Sequence, residues 1–233
     1  MNKAQQLLLS LFLIVSILTL LSCNSDAQSG AKPSPTFTIT PTPANTSEFT
    51  PSPTMRTSIP QWSSPPPMVI DKDKQYIAII KTNFGNIELQ LFPHDAPLAV
   101  NNFVFLARQG FYDGIKVFRV LKDYVMQSGN PTGTNIGGPG YSFADETVTR
   151  DYVAGVLAMA NSGPNTNGSQ FFITLADLSN ELPKNYTIFG QMTNGFDVLQ
   201  KIEDVPVRAL FPGGEVSSPM VDVHIDTVTI EER

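Results

Sequence analysis

Apolar and polar positions alternate along Tyr76–Phe92, QYIAIIKTNFGNIELQLF counted from Gln75, in two β-branched runs separated by Thr82-Asn83-Phe84-Gly85. That pattern predicts a β-hairpin, because a period of two places alternate side chains on one face of a strand. The period then changes. In DAPLAVNNFVFLARQG (95–110), Val100, Phe103, Val104 and Ala107 follow i, i+3, i+4, i+7 spacing, with Pro97 in the first turn and Gly110 as a stop. This predicts an amphipathic helix. Short apolar runs around Lys116–Leu121, Val125–Ser128, Gly155–Ala160, Gln170–Leu175 and Thr187–Gln191 predict strands, and Gly195–Ile202 predicts a second short helix with Phe196, Leu199 and Ile202 on one side. The final segment alternates at Val221, Val223 and Ile225 and resumes at Val228 and Ile230. A phase change near Asp226-Thr227 is the signature of a β-bulge. Many short strands with two helices point to an antiparallel barrel or sandwich capped by helices.

The region ahead of this pattern is of a different kind. Leu7–Leu21 is an almost purely apolar run after one lysine, short for a membrane span and suited to a signal-peptide core. It ends in Leu20-Leu21-Ser22-Cys23, which resembles the bacterial lipobox, in which the cysteine is lipidated; a plain membrane anchor with an incidental cysteine is the alternative. The expected division is a lipoprotein signal peptide over 1–22, a lipid-anchored Pro/Ser/Thr-rich tether over 23–67 and a folded domain over 68–233. Residues before 68 hold ten of the 19 prolines and few large apolar side chains. Such a stretch buries too little surface to offset its ordering entropy. Trp62, the lone tryptophan, falls in it, either exposed or packed on the domain edge. The expected location is extracytoplasmic, with the membrane held through Cys23.

Charge and residue chemistry narrow the function. Beyond residue 67, twelve basic side chains face nineteen acidic ones, with no Lys/Arg cluster, so nucleic acid is not an expected partner. Cys23 is the only cysteine and His94 and His224 the only histidines. No carboxylate pair, metal-ligand cluster or Ser/His arrangement is apparent. The Gly-rich GNPTGTNIGGPG (129–140) lacks the Gly-Lys-Ser/Thr ending of a phosphate loop. No metal or cofactor is expected, and catalysis, if any, must come from positioning and electrostatics. One stretch remains conspicuous: AMANSGPNTNGSQFFI (158–173) carries far more Gly and Asn than a hairpin turn requires, so it is expected to shape a surface.

VFRVLKDYVMQSGNPTGTNIGGPGY (117–141) and MANSGPNTNGSQFFI (159–173) resemble the two signature segments of cyclophilin-type peptidyl-prolyl isomerases, and the resemblance runs over nearly all of 76–232. It implies a mainly β fold, a closed eight-stranded antiparallel barrel capped by two α-helices. It implies catalysis by Arg119 at a groove for proline-containing polypeptides. Tyr124, Val125, Phe172 and Leu182 match the apolar pocket, and Gln127 and Gln170 match polar groove positions. Ala160 and Asn161 would offer backbone groups to the peptide. Tyr186 stands where a histidine is common, and Glu181 where many members carry tryptophan, which implies a changed rim and weaker binding of cyclosporin A. A catalytically weak peptide-binding module on the same fold is the alternative function. A monomer is expected.

Overall fold

The structure is a computed structural model and describes residues 59–233; Cys23, the apolar run before it and most of the Pro-rich stretch lie outside these residues. The expected hairpin is β1 (Tyr76–Thr82) and β2 (Gly85–Leu91), joined with Thr82 facing Gly85. On β1, Tyr76, Ala78, Ile80 and Thr82 point inward, as their spacing requires. Next come β3 (Arg119–Leu121), β4 (Val125–Ser128), β5 (Val156–Met159), β6 (Phe171–Thr174) and β7 (Ile188–Asn194). A separate two-stranded sheet follows, β8 (Val207–Ala209) and β9 (Val216–Pro219), and then β10 (Ile225–Glu232). The eight-stranded sheet is antiparallel throughout, in the order β10-β1-β2-β7-β5-β6-β4-β3. Opposite the Lys81/Thr82 step, β10 skips from Thr227 to Ile225, so Asp226 is the inserted residue that the phase change announced.

Helix α1 (Pro97–Arg108) packs on β7 and β10, and α2 (Phe196–Glu203) on β2 and β3. Both ends of α1 are explicit in the chain. Pro97 occupies the first turn, where a missing N–H costs nothing. Ala96 cannot cap, and Glu146, 47 residues away from Ala99, accepts the Leu98 and Ala99 N–H groups at 2.8 and 2.9 Å. At the other end Gly110 (φ 62°) donates to Ala107 and Phe111 to the Leu106 carbonyl, a Schellman arrangement that a residue with a Cβ enters only at a cost. The stripe Val100, Phe103, Val104 and Ala107 is buried. Phe103 is the hub of an aromatic cluster with Tyr112, Phe171 and Phe189, ring centroids 5.0, 5.6 and 5.4 Å away.

The closed barrel is a correction. The sheet curls through 206° and stays open, a half-barrel with β10 and β3 as its edges. The two edges approach where the segment before β3 meets the start of β10. Lys116 and His224 form an isolated bridge, flanked by backbone bonds between Gly114 and Ile225, Ile115 and Ile225, and Val117 and Val223. Strand β3 is only three residues long and pairs on one side with β4, while β9 packs beside it. Alternation assigns a face to each side chain, but ladder closure depends on stagger summed around the sheet, which no local pattern encodes.

Packing also begins ahead of residue 68. The Trp62 ring meets Phe105 edge-on at 5.3 Å and Phe111 at 5.9 Å. Its backbone N–H donates to the Pro139 carbonyl at 2.9 Å, and Gln61 Nε2 donates to the Gly138 carbonyl at 2.9 Å. Gly140 (φ 96°) passes so close that a Cβ there would lie 2.7 Å from the Trp62 carbonyl oxygen. Trp62→Ala is therefore expected to destabilise the domain by about 2 kcal/mol, through lost aromatic contact area. That corresponds to a melting point lower by roughly 4–8 °C for a domain of this size. An unchanged thermal transition would show that the strap contributes nothing.

Candidate active site

Strands β5 and β6 are buried on both faces, which is why they read as near-continuous apolar runs rather than alternating ones, while β4 buries Val125, Met126 and Ser128 and leaves Gln127 partly exposed. One face, with Met126, Leu157, Met159, Phe171 and Ile173, lines the main core. The other, with Val125, Val156, Ala158 and Phe172, forms a second apolar cluster with Tyr152, Leu178, Leu182 and Ile188. Tyr124, Ala160 and Tyr186 pack against this cluster, half-buried. The paired phenylalanines thus serve opposite faces of one strand. The Phe172 ring is 5% exposed and meets Tyr186 edge-on at 5.6 Å.

Cross-strand register brings the polar groups to the same place. Arg119 on β3 lies opposite Gln127 on β4, and Gln127 lies opposite Phe172 on β6. Arg119 Nη1 donates to Gln127 Oε1 at 3.4 Å, and Gln127 Nε2 donates to Gln170 Oε1 at 3.2 Å. Gln170 Nε2 in turn donates to the carbonyls of Asn135 and Gly137, at 3.2 and 3.0 Å. The Gly-rich 129–140 loop therefore orients a line of side-chain amides that ends at the guanidinium. The guanidinium carbon lies 5.9 Å from the Tyr124 ring centre. Burial opposes the charge of Arg119, but a carboxylate partner outweighs it and holds the pKa above the usual arginine value. Burial raises the Tyr124 phenol, partly offset by Arg119, with the nearby Glu181 and Glu215 carboxylates adding to the rise.

The Gly/Asn excess of 161–168 is resolved into specific contacts. Asn161 Nδ2 donates to the Asn185 carbonyl at 2.9 Å and its Oδ1 accepts the Gly163 N–H, pinning the loop beside Tyr186. Buried Asn167 donates to Phe143, Ala144 and Asp145, while Asn165 and Asp145 bond each other's backbone N–H groups. Gly163 (φ 120°) and Asn165 (φ 61°) take backbone conformations open to these residue types. The Ala160 N–H is engaged by the Gln170 carbonyl at 2.9 Å, so that group serves the sheet rather than a peptide.

Of the nine residues expected around Arg119, Gln127 and Gln170 join it by hydrogen bonds, Tyr124, Val125, Ala160, Phe172, Leu182 and Tyr186 form or pack on the apolar cluster, and Asn161 is held to the Asn185 carbonyl next to Tyr186. Glu181 is exposed in the turn just before Leu182 and acts electrostatically on Tyr124, which puts it at the rim. The partner of Arg119 was not among the residues singled out in the sequence. Glu215, in the loop between β8 and β9, accepts from Nε at 2.6 Å and from Nη2 at 2.8 Å. It lies 96 residues from Arg119 in a segment without periodicity, and nothing local signals the contact. Among the described residues no cluster of three or more His, Cys, Asp or Glu side chains could hold a metal ion.

Residues 77–230 match the family described as "Cyclophilin type peptidyl-prolyl cis-trans isomerase/CLD". The chain is 41% identical over 167 residues to "Probable peptidyl-prolyl cis-trans isomerase B" of Mycobacterium tuberculosis, covering 64% of this chain and 53% of the relative. It is 44% identical over 161 residues to "Peptidyl-prolyl cis-trans isomerase-like 2" of Rhizopus delemar, covering 66% of this chain and 30% of the relative. The aligned region thus spans about a third to a half of the length of these two curated relatives. Among solved structures, a Cryptosporidium parvum cyclophilin type peptidyl-prolyl cis-trans isomerase superposes with a TM-score of 0.62 at 34% identity, over 69% of this chain and 99% of that one. The same protein in the presence of the dipeptide Ala-Pro gives 0.61, also at 34% identity, over 67% and 99%. With the family pattern spanning 77–230 and the fold superposing on 99% of a solved relative, this chain belongs to the cyclophilin-type peptidyl-prolyl cis-trans isomerase family.

Proposed function

We propose that this chain catalyses cis–trans rotation about X–Pro bonds of exported polypeptides, with Arg119 as the catalytic residue and the Phe172 cluster as the seat of the prolyl ring. Rotation is slow because amide resonance imposes a barrier of about 18–20 kcal/mol. It breaks no covalent bond, so the catalyst need only favour the twisted amide over the planar one. The observation that carries the reading is one guanidinium held beside one apolar floor. Arg119 stays charged, and Gln127 and Glu215 together occupy three of its five N–H groups. Two N–H groups, one on each of Nη1 and Nη2, are left for the prolyl nitrogen or the preceding carbonyl. The solved relative obtained with Ala-Pro supports a proline-containing peptide as the ligand class.

A membrane-tethered, extracytoplasmic location through lipidated Cys23 belongs to the same proposal and rests on the lipobox-like Leu20–Cys23. Among the described residues no helix is long and apolar enough to cross a membrane. The test has two arms. Cis–trans exchange of a short X–Pro peptide, followed by NMR, should accelerate on adding the full chain, with or without chelator. Peptide broadening by binding alone, without exchange between the cis and trans signals, would favour the weak binding module. Wild-type chain expressed in bacteria should partition into the membrane fraction, and Cys23→Ser should release it or leave the precursor uncleaved; an unchanged mature mass together with membrane attachment in Cys23→Ser would remove the anchor.

A further inference from the structure

We propose that Glu215 is a positioning residue for the catalytic guanidinium, an inference that rests on the isomerase role of Arg119. The carboxylate takes Arg119 from the side, through Nε and Nη2, and not end-on through the two terminal nitrogens. A planar guanidinium has only a few edges at which two parallel hydrogen bonds fit. Filling the Nε edge keeps the carboxylate off the terminal edge and fixes the guanidinium plane, while Gln127 restrains Nη1. The pair therefore holds the edge that substrate needs instead of competing for it.

The contact is built by its surroundings. Glu215 follows Gly213 (φ 79°) and Gly214, and the Phe211 ring lies across Gly214, where an added Cβ would sit 3.0 Å from it. Strands β8 and β9 pair Ala209 with Val216, and a register shift next to this pair leaves Ser217 as the extra residue, buried beneath the loop. Arg119 is the main cause that keeps the Glu215 carboxyl below its usual pKa, with the Ser217 side chain a smaller one, although burial acts the other way. Strand β9 packs beside β3, so the loop that carries Glu215 and the strand that carries Arg119 are fixed relative to each other. The two side chains are 25% and 36% exposed, a setting in which an ion pair adds little to folding stability. Two short bonds converging on one edge at such a site serve orientation better than stability.

The experiment uses full-length chains and an X–Pro exchange assay with kcat and KM separated. Glu215→Ala should lower kcat roughly tenfold with KM within about twofold, since a displaced catalytic group costs rate more than binding. Glu215→Asp should recover part of the loss. Adding Glu215→Ala to Arg119→Ala should cost nothing further, because the carboxylate acts only through the arginine. By 15N NMR, the Arg119 Nε–H signal should shift and exchange faster with water in Glu215→Ala, a readout independent of turnover. Arg119→Ala as active as wild type would overturn the role of the arginine and this inference with it. An impaired Arg119→Ala beside a Glu215→Ala chain of wild-type kcat, or an additive loss in the double variant, would overturn the inference alone.

Discussion

Arg119→Ala is expected to lower kcat/KM for X–Pro isomerisation by roughly 10- to 150-fold, the value of one charge-assisted hydrogen bond of about 1.5–3 kcal/mol made in the transition state. Thermal stability should change little. Arg119 is half-buried at the groove, 25% of its side chain is exposed, and its partner Glu215 is more exposed still, so the freed carboxylate can hydrate. Lysine at 119 is a stricter control. It keeps the charge but replaces a planar fork by a point charge, so it cannot hold the Nε/Nη2 pairing with Glu215 and present a second edge at once. Arg119→Lys should therefore remain well below wild type. Full activity in Arg119→Lys would mean that charge alone suffices and that the geometry around Glu215 is incidental; full activity in Arg119→Ala would move the catalytic role elsewhere.

What the chain discloses and what it conceals divide along physical lines. The α1 stripe Val100, Phe103, Val104 and Ala107 and the bulge at Asp226 were legible because each is a periodicity, and a periodicity maps onto a face. The residues that meet around Arg119 stand in or near the two long motifs, and the strand register supplies the reason they meet. Arg119 and Gln127 face each other on two successive strands, and Phe172, distant in sequence, comes next in cross-strand register. Contacts between loops carry no such trace. Glu215 meets Arg119 through a Gly-Gly turn, and Gln170 is held by backbone carbonyls of Asn135 and Gly137, groups that every residue has. Trp62, open in the sequence between exposure and packing on the domain edge, packs. Its neighbours are prolines and serines, whose composition argues against packing, yet one large ring meeting Phe105 and Phe111 is enough to seat the strap. The half-barrel is hidden for a third reason, since closure is a property of summed stagger and not of any single strand.

The adjacent phenylalanines should fail in opposite ways. Phe171 is fully buried, meets Phe103 and Tyr112 edge-on at 5.6 Å each, and lies 3.0 Å from where a Cβ on Gly129 would be. Phe171→Ala should cost about 3–5 kcal/mol, because the rings around the cavity are fixed by other contacts and cannot collapse into it. Against a typical domain stability of about 5–15 kcal/mol that is a large share, and the melting point should fall by roughly 6–20 °C. Phe172 points the other way, into the smaller cluster under the groove, where Tyr186 and Tyr124 are half-buried and have room to move. Phe172→Ala should therefore destabilise by less, and its main effect should be on substrate. A prolyl ring seated on that floor buries about three methylenes, worth about 2 kcal/mol, so kcat/KM should drop roughly 30-fold, mostly through KM. Denaturant unfolding beside steady-state kinetics on both variants separates the two outcomes. Equal losses of stability, with Phe172→Ala retaining wild-type KM, would show that Phe172 belongs to the core and that the proline seat lies elsewhere on the sheet.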